Sequence, residues 1–204
     1  MTGKYIALEG IEGAGKSTIA AALSAALTSR GVKVTAVREP GGTGPGERIR
    51  QVLLGDDADV APWTEALLFA AARAQLARDV IAPALSSGSW VIGDRSVYSS
   101  LAYQGGGRGL GVAAVRALNV PGLIGVWPDV VVLLQVDAGT GLRRQENADR
   151  IGAEGMRFQA LVAVTFDEIA ATESDRFSVV DASAPLDFVV AHVIHEIEAR
   201  WPKH

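Results

Sequence analysis

The stretch Gly10-Ile11-Glu12-Gly13-Ala14-Gly15-Lys16-Ser17 decides how the rest of the chain is read. It satisfies G-x-x-x-x-G-K-[ST] at every fixed position. Glycines let the backbone close around an anion so that successive N–H groups point inward. A helix beginning at the end of the loop adds the positive end of its dipole to the same site. In this pattern the lysine, Lys16, reaches the β- and γ-phosphates of a nucleotide, and the hydroxyl of Ser17 ligates Mg²⁺. The flanks agree. Tyr5–Leu8 (YIAL) reads as a buried strand and Lys16–Ser29 as a helix, the context that separates a phosphate loop from a chance glycine turn.

Outward from the loop, short apolar runs alternate with longer helical stretches, the signature of a parallel sheet covered on both faces. The spacing predicts strands at Tyr5–Leu8, Lys33–Val37, Trp90–Gly93, Val130–Val136 and Ser178–Val180. Helices are predicted at Lys16–Ser29, Glu47–Leu54, Trp63–Leu85, Ser96–Tyr103, Val112–Leu118, Gly139–Glu146, Glu154–Thr172 and Leu186–Trp201. Gly31 is expected to stop the first helix, and Pro185 to open the last. The fold class is therefore α/β: a three-layer P-loop NTPase fold with a five-stranded parallel sheet flanked by helices. The 204 residues suit a single domain, 1–204.

Bulk properties narrow the function classes. The net charge of -4 gives no global basic field for nucleic acid, so basic residues must act locally. The chain has no cysteine, which removes disulfides and thiolate metal sites. No apolar run of about 20 residues and no signal-peptide core occur, and a cytoplasmic protein without membrane partners is expected.

Magnesium on a triphosphate needs a second anionic anchor, commonly a carboxylate at the end of a neighbouring strand. Asp94, closing Trp90-Val91-Ile92-Gly93-Asp94, is the candidate, with Arg95 beside it available for phosphate. Arg38-Glu39-Pro40-Gly41-Gly42 makes an irregular loop after the second strand, at the edge where open α/β sheets bind ligands. Arg50 follows one helix later. Phe69 and Arg73, four apart, share a helical face and suit stacking on a base plus a hydrogen bond to its carbonyl. The segment from Asp94 to Gln104 is rich in polar groups, and Tyr103 to Arg108 is expected to end its helix in a mobile basic turn.

Taken together, EGIEGAGKST, REPGGT, EALLFAAARAQL, GDRSVYSSLAYQGGGRGLG, WPDVVVLLQVDAGTGL and DRIGAEG make the chain closely resemble the bacterial thymidylate kinases over nearly its whole length. The resemblance implies a nucleoside-monophosphate kinase that makes dTDP from dTMP with Mg²⁺ and ATP, on the route to dTTP, and that works as a homodimer. ATP would meet Glu12, Gly13, Ala14, Gly15, Lys16, Ser17, Thr18 and Arg144. On the dTMP side, Glu12 is similar to the acid contacting the sugar 3′-hydroxyl. Pro40 is counted among the dTMP-binding residues, Glu39 and Arg50 match positions near the acceptor phosphate, and Arg95 matches the arginine that grips that phosphate. Phe69 and Arg73 match the thymine-stacking and O4-binding pair. Ser100 and Gln104 match residues lining the base pocket, and Tyr103 the ring beneath the sugar.

In family terms residues 143–157 form a lid over ATP. Arg150 is the candidate for stabilising charge on the transferring phosphoryl group and Arg144 for stacking on adenine. Two departures stand out: Gly152 replaces the glutamate common after Asp149-Arg150-Ile151, and Phe166 stands where tyrosine is common. Lys16, Arg95, Arg150 and Asp94 make up the catalytic set, with Ser17 and Asp94 for the metal. Rival readings are a kinase for another nucleoside monophosphate or a deoxynucleoside, and a non-catalytic NTP-binding switch.

Overall fold

The computed structural model describes residues 3–55, 59–144 and 150–202. Five strands, β1 (Tyr5–Glu9), β2 (Val34–Arg38), β3 (Trp90–Asp94), β4 (Val130–Gln135) and β5 (Phe177–Asp181), form one all-parallel sheet in the order β2-β3-β1-β4-β5. The central strand β1, YIALE, is buried at every position. A strand covered on both faces gains from an unbroken apolar run, which is why these segments lack polar alternation.

The helices are α1 (Lys16–Ser29), α2 (Gly44–Leu54), α3 (Pro62–Leu76), α4 (Ala82–Ser86), α5 (Val97–Ser100), α6 (Val112–Leu123), α7 (Ala138–Arg143), α8 (Met156–Thr172) and α9 (Leu186–Arg200). On one face α1 and α9 seal the sheet through Ile19, Leu23, Val193 and Ile197. On the other, Tyr98, Leu101, Val162 and Phe166 pack against Val131 and Leu133. Each such aliphatic or aromatic side chain contributes roughly 1.5–3 kcal/mol on burial.

Register fixes where function can sit. Leu8 and Arg38 both pair with Asp94, so β1, β2 and β3 end level with one another. The residues that follow them, Gly10, Glu39 and Arg95, therefore emerge along one edge of the sheet.

Three expectations are corrected. The helix expected over Trp63–Leu85 is divided: a π-helical turn, Ala77–Ile81, separates α3 from α4. Pro83, which has no N–H to donate, sits in the first turn of α4, and the wider turn precedes it. The helix expected to end at Leu118 runs on to Leu123 with Pro121 inside it, and closes at Ile124 with a left-handed φ of 47°. The segment after Tyr103 is not a mobile turn. Leu101–Gly107 is a π-helical continuation of α5 packed on α8. A Cβ on Gly106 would collide with the Thr165 side chain and one on Gly107 with Phe158, so glycines let this segment lie close to α8. The last helix begins at Leu186, one residue after Pro185. Of the helix expected at Gly139–Glu146, α7 covers residues through Arg143, and Gln145 and Glu146 lie outside the described residues.

Candidate active site

The phosphate loop runs from the end of β1 into α1. Gly13 has a left-handed φ of 73°, and a Cβ there would run into the carbonyl of Gly141 on α7, so only glycine serves. Lys16 is buried and folds back over the loop, donating from Nζ to the carbonyl oxygens of Ile11 at 2.7 Å and Gly10 at 3.2 Å. Burial first, then the nearby Arg95, lowers its pKa to about 8, against partial compensation from Glu12 and Asp94. The lysine is held by neutral carbonyls where a phosphate would supply full charge.

Ser17 Oγ donates to Asp94 Oδ2 at 2.5 Å, joining the first turn of α1 to the end of β3. A hydroxyl and a carboxylate in contact beside a phosphate loop are two hard oxygen donors. They fit a small divalent cation that takes only one or two protein ligands and fills its other positions from phosphate and water. Next to Asp94, Arg95 adopts a left-handed φ of 74°, which a non-glycine residue tolerates only where its surroundings enforce it. The turn swings the guanidinium over the loop, where Nη2 pairs with Glu12 and the group lies 5.1 Å from the Tyr103 ring centre. Nη1 donates to Ser99 Oγ at 3.1 Å. Burial would raise the Glu12 carboxyl, but Arg95, then Lys16 and the Tyr103 hydroxyl, outweigh it and hold its pKa below the ordinary value.

Glu9, at the end of β1, anchors this turn. Its buried carboxylate accepts from Ser96 Oγ at 2.7 Å and from the Ser99 backbone N–H and Oγ at 3.1 and 2.6 Å. Burial pushes its pKa up.

A cavity of about 710 Å³ opens above these groups. One end is lined by Gly13, Ala14, Gly15, Lys16, Ser17, Thr18 and Arg144; the other by Glu39, Pro40, Arg50, Phe69, Arg73, Ser100, Tyr103 and Gln104, with Glu12, Asp94 and Arg95 between. Within it, Arg73 is buried and held from three sides: Nε donates to Glu39 Oε2 at 2.6 Å, Nη1 to Asn119 Oδ1 at 2.5 Å and Nη2 to the Ser96 carbonyl at 3.2 Å. Glu39 thus holds Arg73, while Arg50 donates to the Pro40 carbonyl at 2.8 Å. Ser100 Oγ is buried with no hydrogen-bond partner among the described residues.

The arginines expected in the lid divide. Arg144 lines the cavity and donates to the Ala182 carbonyl at 2.9 Å. Arg143 and Arg157 are exposed. Arg150 is turned away from the loop, donating to the Leu53 carbonyl at 2.9 Å and pairing with Glu65 at 2.6 Å. Asp149 lies outside the described residues. Phe166 is buried edge-on to Tyr103, with ring centres 6.3 Å apart, and Gly152 opens a 3₁₀ turn, Gly152–Glu154.

Sequence reasoning missed Glu9, Glu65, Arg108 and Asn119. Their partners are distant in the chain, and an acid within an alanine-rich helix carries no signal of its own.

A five-stranded parallel sheet, a phosphate loop at its central strand and a cavity shared by that loop with Arg50, Arg73 and Arg95 define a P-loop protein of the nucleotide-kinase class. Comparison with known proteins narrows this. The thymidylate kinase family profile matches residues 8–193, and the chain belongs to that family. It is 42% identical over 201 residues to the thymidylate kinase of Deinococcus radiodurans, covering 97% of this chain and 98% of that one. Against the thymidylate kinase of Bifidobacterium longum (strain DJO10A) it is 42% identical over 203 residues, covering 97% and 98%. Against that of Rhizorhabdus wittichii it is 43% identical over 210 residues, covering 99% and 100%.

Proposed function

We propose that this chain transfers the γ-phosphoryl group of ATP to the phosphate of dTMP, giving dTDP and ADP. The observation that supports it most is one cavity with the phosphate loop at one end and the Phe69, Arg73 and Gln104 wall at the other, with Arg95 between. Two anionic substrates must meet there, so alignment and charge neutralisation are the protein's main tasks. The loop amides and Lys16 hold the triphosphate. Arg95 presents the acceptor phosphate, and the Glu12 carboxylate, ionised beside it, keeps the guanidinium aimed. No general base is required, since a phosphate oxygen is already ionised near neutral pH.

Ser17 and Asp94 would hold Mg²⁺, which when bound offsets phosphate charge. Arg144 would face the adenine. For Arg150 to act on the transferring group it must leave Glu65 and Leu53, which makes its role dependent on lid movement. The expected compartment is the cytoplasm, and no described helix is long and apolar enough to cross a membrane.

The second copy of this chain is the proposed partner. Trp63, Leu67 and Ala71 on α3, and Ala113, Ala117, Val120 and Ile124 on and after α6, leave apolar stripes exposed on adjacent helices. Light scattering should give twice the chain mass, and Leu67→Glu should halve it; a monomeric wild-type chain would end that reading.

Phosphorus NMR of a mixture of the protein, MgATP and dTMP tests the activity. Equal ADP and dTDP signals are expected. Inorganic phosphate without dTDP would contradict the assignment.

A further inference from the structure

One buried carboxylate has no part in the chemistry above. Glu65 on α3 is fully buried and gathers three partners from two other segments. Arg108 donates to Oε1 and Oε2 at 3.2 and 3.1 Å, and Arg150 to Oε2 at 2.6 Å. Gln104 Nε2 donates to Oε1 at 3.0 Å. Arg108 also pairs with Glu154 at 2.5 Å and lies 4.7 Å from the Phe158 ring centre. Burial would raise the Glu65 carboxyl, but Arg108, Arg150 and Gln104 hold it below the ordinary range, so it stays ionised.

An ionised carboxylate only accepts hydrogen bonds. The Gln104 amide must therefore turn its NH₂ toward Glu65, and its Oε1 is left as an acceptor with no hydrogen bond from the described residues. Gln104 lines the cavity beside the unpartnered Ser100 hydroxyl and the Arg73 guanidinium, which can only donate. The wall thus offers a fixed donor and a fixed acceptor. A pyrimidine with a carbonyl at position 4 and an N–H at position 3 complements both. Cytosine carries an amine and a lone pair at those positions and opposes both.

We infer that Glu65 is a positioning residue for base selection: by holding the Gln104 amide in one orientation it makes this pocket favour an imide base over cytosine. The inference rests on the dTMP reading above. A counter-ion role toward Arg108 and Arg150 alone would affect stability and leave base preference unmoved.

Glu65→Gln keeps an oxygen toward Arg108 and Arg150 and turns an NH₂ toward Gln104, so the Gln104 amide is no longer held with its oxygen to the cavity. The ratio of kcat/KM for dTMP over dCMP is expected to fall by about tenfold or more, chiefly through a higher KM for dTMP, because a buried acceptor no longer meets its donor reliably. The exchanged pair Glu65→Gln with Gln104→Glu keeps the charge and again turns an acceptor to the cavity, and it is expected to recover most of the ratio. A folded Glu65→Gln with wild-type preference, or a folded exchanged pair without recovery, overturns the inference. Wild-type protein gives a reading that needs no variant. The Gln104 amide protons, followed by NMR, are expected to stay protected from exchange when dTMP is added, and their release would contradict the proposal. Wild-type protein that ignores dTMP altogether would instead strike the functional reading on which this one stands.

Discussion

Ser17 Oγ donates a 2.5 Å hydrogen bond to Asp94 Oδ2, across 77 positions of sequence. The contact ties the first turn of α1 to the end of β3 and sets two oxygen donors side by side at the mouth of the phosphate loop. Asp94→Asn removes the charge and Ser17→Ala one oxygen. Each variant is expected to need about tenfold more free Mg²⁺ for half-maximal rate, since a cation with few protein ligands depends heavily on each. Unchanged magnesium titrations in both variants would take these residues out of the metal site.

Lys16 gives a pH prediction. Its pKa is about 8 in the folded chain against the ordinary 10.5, because burial and then Arg95 oppose its charge. Below about pH 8 the lysine is charged; as the pH rises through that value the free protein loses the proton. Bound polyphosphate favours the charged form, so ATP affinity is expected to fall above pH 8, with proton uptake on binding near pH 8.5. The unfolded chain keeps this proton up to about 10.5, so between 8 and 10.5 this group makes stability rise with pH. Calorimetry in buffers of different ionisation enthalpy reads the uptake directly, and zero uptake at pH 8.5 would refute it.

Arg95 carries a backbone φ of 74° to bring its guanidinium to Glu12. Arg95→Ala is expected to cost on the order of 10²–10⁴ in rate, as for other single charged contacts in a water-poor site. Arg95→Lys should recover little, because a point charge does not reproduce the fork that spans Glu12 and Ser99. Near-normal turnover of either variant on dTMP would remove this residue from the acceptor site.

The pair Arg73–Glu39 is almost wholly buried, and its partners include Asn119 and the Ser96 carbonyl. Breaking such a pair from one side leaves an uncompensated charge, so Arg73→Ala is expected to lose about 3–5 kcal/mol of stability in urea denaturation. A loss under about 1 kcal/mol would show that water readily replaces the arginine.

The sheet and the phosphate loop could be read from the chain because both are local. A strand buried on both faces is a short apolar run, and the loop is eight consecutive residues. The π-helical turn at 101–107 could not be read that way, since the packing of Gly106 and Gly107 on Thr165 and Phe158 involves residues more than 50 positions away. Phe69 and Arg73 were found from their helical spacing and Ser100 and Gln104 from resemblance, and the structure brings all four to one cavity. Glu9 and Glu65 stayed hidden. Each is an acid whose meaning lies in donors from β3 onward, and nothing in the adjacent sequence announces them. Arg150 shows the converse: a lid arginine read as a phosphate ligand is paired with Glu65 in this conformation.

The acceptor requirement bears most directly on the account. Steady-state ADP release with MgATP should be compared for dTMP, dUMP, dCMP, dGMP and AMP, and for no acceptor. The predicted result is turnover with dTMP far above every purine acceptor and dCMP, with little release when no acceptor is present. Slow ADP release at one rate, whatever nucleotide is added, would mean that the cavity beside Arg95 receives no second phosphate.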